Sequence, residues 1–119
     1  MPFQTYWVEA PHIPGTDYSG AVSGFDLNMA MLEYMGALQD QPVYFLMDFS
    51  ATRGLPNKFF ELSASAQVLH HPNTRWCAVV HAGQSRNSYT TRLLARNRVK
   101  IFEKRKDAMA FLRAMVQTD

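Results

Sequence analysis

Two short segments of the chain, VYFLMDF at 43–49 and RWCAVVH at 75–81, are almost continuously apolar, and RVKIF at 98–102 reads as a third strand. Runs of this length without polar alternation are the pattern of strands covered on both faces, as in parallel sheets. The first of them is the predicted centre of the sheet. Between and after them the apolar period changes to that of helices. Following Asp26, read as an N-cap, the residues Leu27, Met31, Met35 and Leu38 form one stripe, and the helix is expected to end between Gly36 and Asp40, before Pro42. Phe59, Leu62, Ala66 and Leu69 recur at helical spacing up to the stop signal HHPN. SYTTRLLARN reads as a weaker, polar helix. Ala108, Phe111, Leu112 and Met115 then form the clearest stripe, with Arg113 outside it. At the amino end, FQTYWVE (3–9) is rich in β-branched and aromatic residues, and PHIPG separates it from TDYSGAVS. These are expected to be two short strands near an edge, where proline is tolerated.

From residue 26 onward the order is therefore helix, strand, helix, strand, helix, strand, helix. Such alternation implies βαβ units and a mixed, mainly parallel central sheet with helices packed on it, the edge strands coming from the amino terminus. The fold class is α/β. With 119 residues and neither repeats nor linkers, the whole chain, 1–119, is expected to form a single domain.

Composition adds exclusions. Hydrophobic residues make up 47% and charged residues 18%, a globular balance that rules out wholesale disorder. One cysteine, Cys77, allows no internal disulfide, and the start Met-Pro-Phe-Gln lacks the basic and apolar regions of a signal peptide; both predict a cytoplasmic protein. No apolar run approaches the roughly 20 residues of a membrane-spanning helix.

Net charge is +2, but it is unevenly placed. Residues 1–52 carry six acids and no Lys or Arg, whereas residues 53–119 carry twelve basic residues and four acids. This polarity is a cue to an anionic partner or to electrostatic self-association, a homodimer included. A solvated basic face explains it without any partner. The stretch 86–106 concentrates eight of the cations against Glu103, yet no nucleic-acid motif accompanies it, and a nucleic-acid partner is not expected.

Ligands and functional groups in open α/β sheets gather beyond the carboxyl ends of the strands. Two predicted strands end there in ionisable groups: Asp48, followed by Ser50, Thr52 and Arg53, and His81, followed by Gln84, Ser85 and Arg86. An Asp orienting a His beside Ser50 or Ser85 would give a nucleophilic triad and a small hydrolase. The G-x-S-x-G elbow that presents such a serine is missing, and strand-end Asp, Ser and His commonly form turns. Phosphate-cradling glycine loops are also missing. His70 and His71 are adjacent on an expected helix end, so their side chains diverge and no metal site is expected. Cys77, inside an apolar strand, reads as a small core residue. No cofactor is implied.

Seven methionines raise a separate expectation. Met31, Met35 and Met47, with Phe49 and Phe60, could line a plastic pocket for a small apolar, lipid-like ligand; the plainer use of such residues is to fill the core.

Three stretches together, PVYFLMDFSATRG, HHPNTRWCAVVHAG and RVKIFEKRKDAMAFL, resemble the SpoIIAA-like (STAS-like) domains, in particular the small stand-alone bacterial ones. The likeness covers roughly residues 42–113. It implies a sheet with helices packed mainly on one side and a non-enzymatic regulatory role in which a protein partner docks on the rim after the central strand. On this chain that rim is Asp48, Ser50, Thr52, Arg53, Asn57 and Lys58. In the anti-sigma-factor antagonists of the superfamily a serine in an Asp-Ser-Ser-Gly turn is phosphorylated to switch binding. Here the turn reads FSATRGLPNKFF, with Asn57 or Lys58 about where that serine belongs, so the phospho-switch is not carried over. The Sec14-type lipid carriers, similar in fold, are the counterpart of the apolar-ligand reading.

Overall fold

A computed structural model describes residues 3–21, 23–36, 41–52, 71–80 and 98–118. Among these, strands β1 (Phe3–Glu9), β2 (Ile13–Gly20), β3 (Val43–Thr52), β4 (Thr74–Val80) and β5 (Val99–Phe102) form one sheet in the order β1-β2-β3-β4-β5. Helix α1 (Gly24–Met35) lies between β2 and β3, and helix α2 (Arg105–Thr118) follows β5. β1 and β2 are antiparallel, while β2, β3, β4 and β5 run parallel. β3 is the central strand, as its unbroken apolar run predicts, and the antiparallel edge is at the amino end. The helices expected around Phe59–Leu69 and in SYTTRLLARN lie outside the described residues.

Two local expectations are corrected. The second strand was expected at 16–23, but it begins at Ile13, because the turn is confined to residues 10–12 and closed by His12 N–H on the Glu9 carbonyl (3.1 Å). Pro14 is accommodated just before Gly15, the first β2 residue that pairs with β3. Helix α1 is capped by Ser23, not by Asp26. The Asp26 amide donates to Ser23 Oγ, and the Ser23 amide and hydroxyl both donate to the Asp26 carboxylate, a reciprocal capping box with Asp26 as its third helical residue. Asp26 also sets a negative charge in the first turn, where the helix dipole favours it.

Alternation along the strands divides the buried residues between two faces. On one face Ile13, Tyr44, Leu46, Ala78 and Val80 pack with Ala108 and Leu112 of α2, extended by Trp76, Phe102 and Phe111. Trp76 and Phe111 meet edge to face at 5.1 Å. The other face carries Phe3, Tyr18, Phe45, Met47, Phe49, Cys77 and Val79, all buried, and α1 lies on this side, tied to β1 by the Thr5 hydroxyl donating to Glu33. The two described helices therefore flank opposite faces of the sheet. Cys77 is a core residue: its thiol lies 3.5 Å from the Met47 sulfur, and burial pushes its pKa up to about 12.

Candidate functional site

The carboxyl end of β3 is irregular at the point where its polar residues begin. Asp17 of β2 pairs with Asp48, but Ser19 pairs with Ala51, so β3 contains one extra residue after Asp48. Bulges of this kind re-aim side chains at sheet ends. Here the extra residue folds Ser50 back onto its neighbour: the Ser50 amide (2.9 Å) and hydroxyl (2.5 Å) both donate to Asp48 Oδ1. Thr52 turns its hydroxyl onto the Phe49 carbonyl at 2.7 Å.

The same register sets two carboxylates, Asp17 and Asp48, side by side on adjacent strands. Like charges directly opposite each other destabilise a sheet. Arg105, the first residue of α2, resolves the conflict. Its Nη1 donates to Asp17 Oδ1 at 2.7 Å and to Asp48 Oδ2 at 3.0 Å, and its Nη2 donates to the Tyr6 hydroxyl. Tyr6 in turn donates to Asp17 Oδ1 at 2.7 Å. Three strands and a helix thus meet in one closed network, with the Asp48 side chain only 10% exposed.

The network leaves its mark on ionisation. Burial and the bond to Asp17 push the Tyr6 hydroxyl up to about 12, against the pull of Arg105. Burial alone would lower the Arg105 pKa, but the bonds to Asp17, Asp48 and Tyr6 outweigh it and hold the guanidinium above its ordinary value. Both Asp48 oxygens are occupied, one by Ser50 and the other by Arg105, so Asp48 is engaged as an anchor and not poised to orient a histidine. Chemically the arrangement is a rigid polar platform that displays the exposed Ser50 and the partly exposed Asp17 and Arg105.

Of the rim residues expected from the sequence, Asp48, Ser50 and Thr52 stand together at the end of β3. Arg53, Asn57 and Lys58 lie outside the described residues, as do His81 and Ser85 of the triad reading. Sequence reasoning missed Tyr6, Asp17 and Arg105. Asp17 and Arg105 are ordinary polar residues locally; the one available signal was an aromatic in β1 opposite a glycine in β2, Tyr6 against Gly15. Much of the described basic stretch is also absorbed internally: Arg105 is ion-paired, Arg98 donates to the Arg75 carbonyl, and Lys100 Nζ sits 4.9 Å from the Phe111 ring centre. A second ion pair, Arg113 with Glu9, again joins the acidic and basic parts of the chain.

The residues of the expected apolar pocket are distributed as follows. Met47 and Phe49 share the α1 face of the sheet and are fully buried. Met31 and Met35 lie on α1, and Met35 is half-buried. Phe60 is outside the described residues. The same face holds two buried hydroxyls, Thr16 Oγ1 and Tyr18 Oη, that have no hydrogen-bond partner, and Tyr18 stacks flat on Phe49 at 4.3 Å. Among the described residues no group of three His, Cys, Asp or Glu could hold a metal ion, and no helix is long and apolar enough to cross a membrane.

This sheet order, with its antiparallel first strand and closing helix, is that of a SpoIIAA-like α/β fold. The chain is similar to the crystal structure of an uncharacterised protein from Shewanella loihica PV-4, of the DUF3478 family and described as SpoIIAA-like in fold. The two are 17% identical, with 92% of this chain and 93% of that chain covered at a TM-score of 0.65. At that identity the likeness concerns the fold. No family model matches the chain, and no curated protein matches it.

Proposed function

We propose that this protein is a non-enzymatic regulatory or protein-interaction module of the SpoIIAA-like type, which docks a partner protein through the rim after β3: Asp48, Ser50, Thr52, Arg53, Asn57 and Lys58. The observation that carries this reading is the closed Tyr6–Asp17–Arg105–Asp48 network. It fixes the strand end and engages both oxygens of Asp48 and Oδ1 of Asp17, which suits recognition better than acid–base chemistry. A preorganised polar rim limits the ordering cost of association. The test places a photo-crosslinking amino acid at the exposed Ser50 and, as a comparison, at the exposed Ala110 on α2, in the protein's own host. A discrete protein adduct from position 50, weakened by Arg53→Glu, supports the rim. Identical adducts from both positions, unaffected by Arg53→Glu, sink it.

A second reading, a carrier of a small apolar ligand at the α1 face beside Met31, Met35, Met47, Phe49 and Phe60, is favoured by the unpartnered Thr16 and Tyr18 hydroxyls. Buried polar groups are ordinarily hydrogen-bonded, and the polar end of an amphiphile would supply the partner. Native mass spectrometry of protein purified from its own host tests this. A ligand-free mass, combined with no thermal shift from a fatty-acid series, counts against it.

A further inference from the structure

Helix α1 is apolar on more than one side. Among its described side chains Ala30 is buried, yet Phe25, Met29 and Leu32 are 72%, 42% and 54% exposed. These three stand at i, i+4 and i+7 and so form a single ridge along the helix. Isolated exposed apolar residues need no explanation, but a continuous ridge marks an interaction surface. Trp7, 50% exposed, lies on the same face of the sheet, on the edge strand β1.

What covers the ridge is indicated by the charges beside it. Asp26 and Glu33 lie about 90° around the helix from the ridge, on the flank that leads to the buried Ala30 and, through the Thr5–Glu33 hydrogen bond, to β1. Asp26 bonds to Ser23 and Glu33 to Thr5, and among the described residues no cation pairs with either. The other described acids of the first half are matched: Glu9 by Arg113, and Asp17 and Asp48 by Arg105. Among the described residues, the acids of the first half without a cationic partner therefore lie beside the apolar ridge. A second copy of α1 would bring more acid and no Lys or Arg, and an anionic lipid surface would be repelled.

The geometry points to a docking site on α1 for a cationic amphipathic helix of a partner protein. Its apolar stripe lies along Phe25, Met29 and Leu32, and its Lys or Arg side chains face Asp26 and Glu33. An i, i+4, i+7 ridge is the surface that intercalates into the groove of a facing helix. With 12 residues, α1 offers about 18 Å of axis, enough for a partner segment of three to four turns. This surface is on the opposite face of the sheet from the α2 packing and does not depend on the rim.

The test titrates the full chain with two synthetic amphipathic peptides of about 14 residues, four turns each, one built from Leu and Lys and the other from Leu and Glu. The Leu/Lys peptide is expected to bind, more weakly as salt rises, and the Leu/Glu peptide not to bind. The double variant Met29→Ser, Leu32→Ser, at exposed positions, should weaken binding by about tenfold or more. Asp26→Asn with Glu33→Gln, which keeps the hydrogen-bond acceptors, should cost about three- to tenfold and flatten the salt dependence. Equal binding of both peptides, unchanged binding by either double variant, or no binding at about 1 mM overturns the proposal. So does a mass doubling in sedimentation that Leu32→Ser abolishes, which assigns the ridge to a second copy, or adsorption to phosphatidylglycerol vesicles, which assigns it to lipid.

Discussion

The Tyr6 ring lies across Gly15 so closely that a β-carbon at position 15 would stand 2.8 Å from its Cε2 and Cζ. The missing side chain in β2 is thus what lets the ring extend over the sheet and deliver its hydroxyl to Asp17 and Arg105. Gly15→Ala is expected to lower stability by about 1–3 kcal/mol, the cost of forcing an overpacked site to shift. Urea unfolding measures it, and in a Tyr6→Ala background the penalty should shrink without vanishing, because the ring is gone while Val8 Cγ2 would still stand 2.9 Å from the new β-carbon.

Removing Arg105 exposes the conflict it neutralises. Arg105→Met is expected to cost about 2–3 kcal/mol, less than a fully buried pair would, because the guanidinium is partly solvated. Asp48→Asn in the same chain should recover part of the loss. A double-mutant cycle with a coupling of at least about 1 kcal/mol between positions 48 and 105 is the expected readout, whereas strictly additive costs would mean that the two do not act together.

Alkaline stability follows from the raised hydroxyl of Tyr6. Its pKa is about 12 in the folded protein against 10.0 ordinarily, so the folded state holds its proton more tightly. The resulting contribution to stability is complete below pH 10 and is lost as pH rises towards 12. Tyr6→Phe should remove that part of the slope. An absorbance titration of the five tyrosines should show the wild-type protein lagging the variant after correction for the lost residue.

Cys77 is expected to be inert to a thiol reagent at pH 8 in the folded protein and to react promptly in denaturant. Its pKa near 12 leaves almost no thiolate, and the side chain is fully buried. The reaction rate in native buffer therefore reports opening of the sheet, and Leu112→Ala should accelerate it. That substitution deletes a fully buried side chain between α2 and the sheet, at a cost of about 2–5 kcal/mol.

Thr16→Val and Tyr18→Phe are expected to be neutral or stabilising by about 1 kcal/mol in ligand-free protein, since each removes a buried hydroxyl that bonds to nothing. Thermal unfolding checks this. Marked destabilisation by either substitution would mean that the hydroxyl has a partner in solution.

Those parts of the fold that bury continuous apolar runs were legible in the sequence. The runs VYFLMDF and RWCAVVH, and the stripe through Ala108, Leu112 and Met115, emerge as β3, β4 and α2 because burial on two faces, or on one helical stripe, leaves a strong local pattern, while RVKIF, with Lys100 exposed, emerges as the short β5. The boundaries of β2 were not legible. Pro14, Gly15 and Gly20 are turn-forming residues in isolation, and only pairing with strands on both sides holds them extended. The site divides in the same way. Asp48, Ser50 and Thr52 are recognisable as a polar strand end, whereas the partners that give Asp48 its role depend on sheet register and on a helix far along the chain. Arg105 sits in a run of cations that composition alone reads as solvated, and nothing next to it announces two carboxylates.

The chain distance closed by that arginine has a consequence for biosynthesis. Tyr6 and Arg105 are 99 positions apart, so the rim combines residues of β1 and α2. A chain still on the ribosome can pair β1 with β2 through a two-stranded ladder, but Asp17 and Asp48 repel each other until residue 105 emerges. The platform forms only once residue 105 has emerged, and a partner that recognises it thereby selects chains in which β1 and α2 have already met.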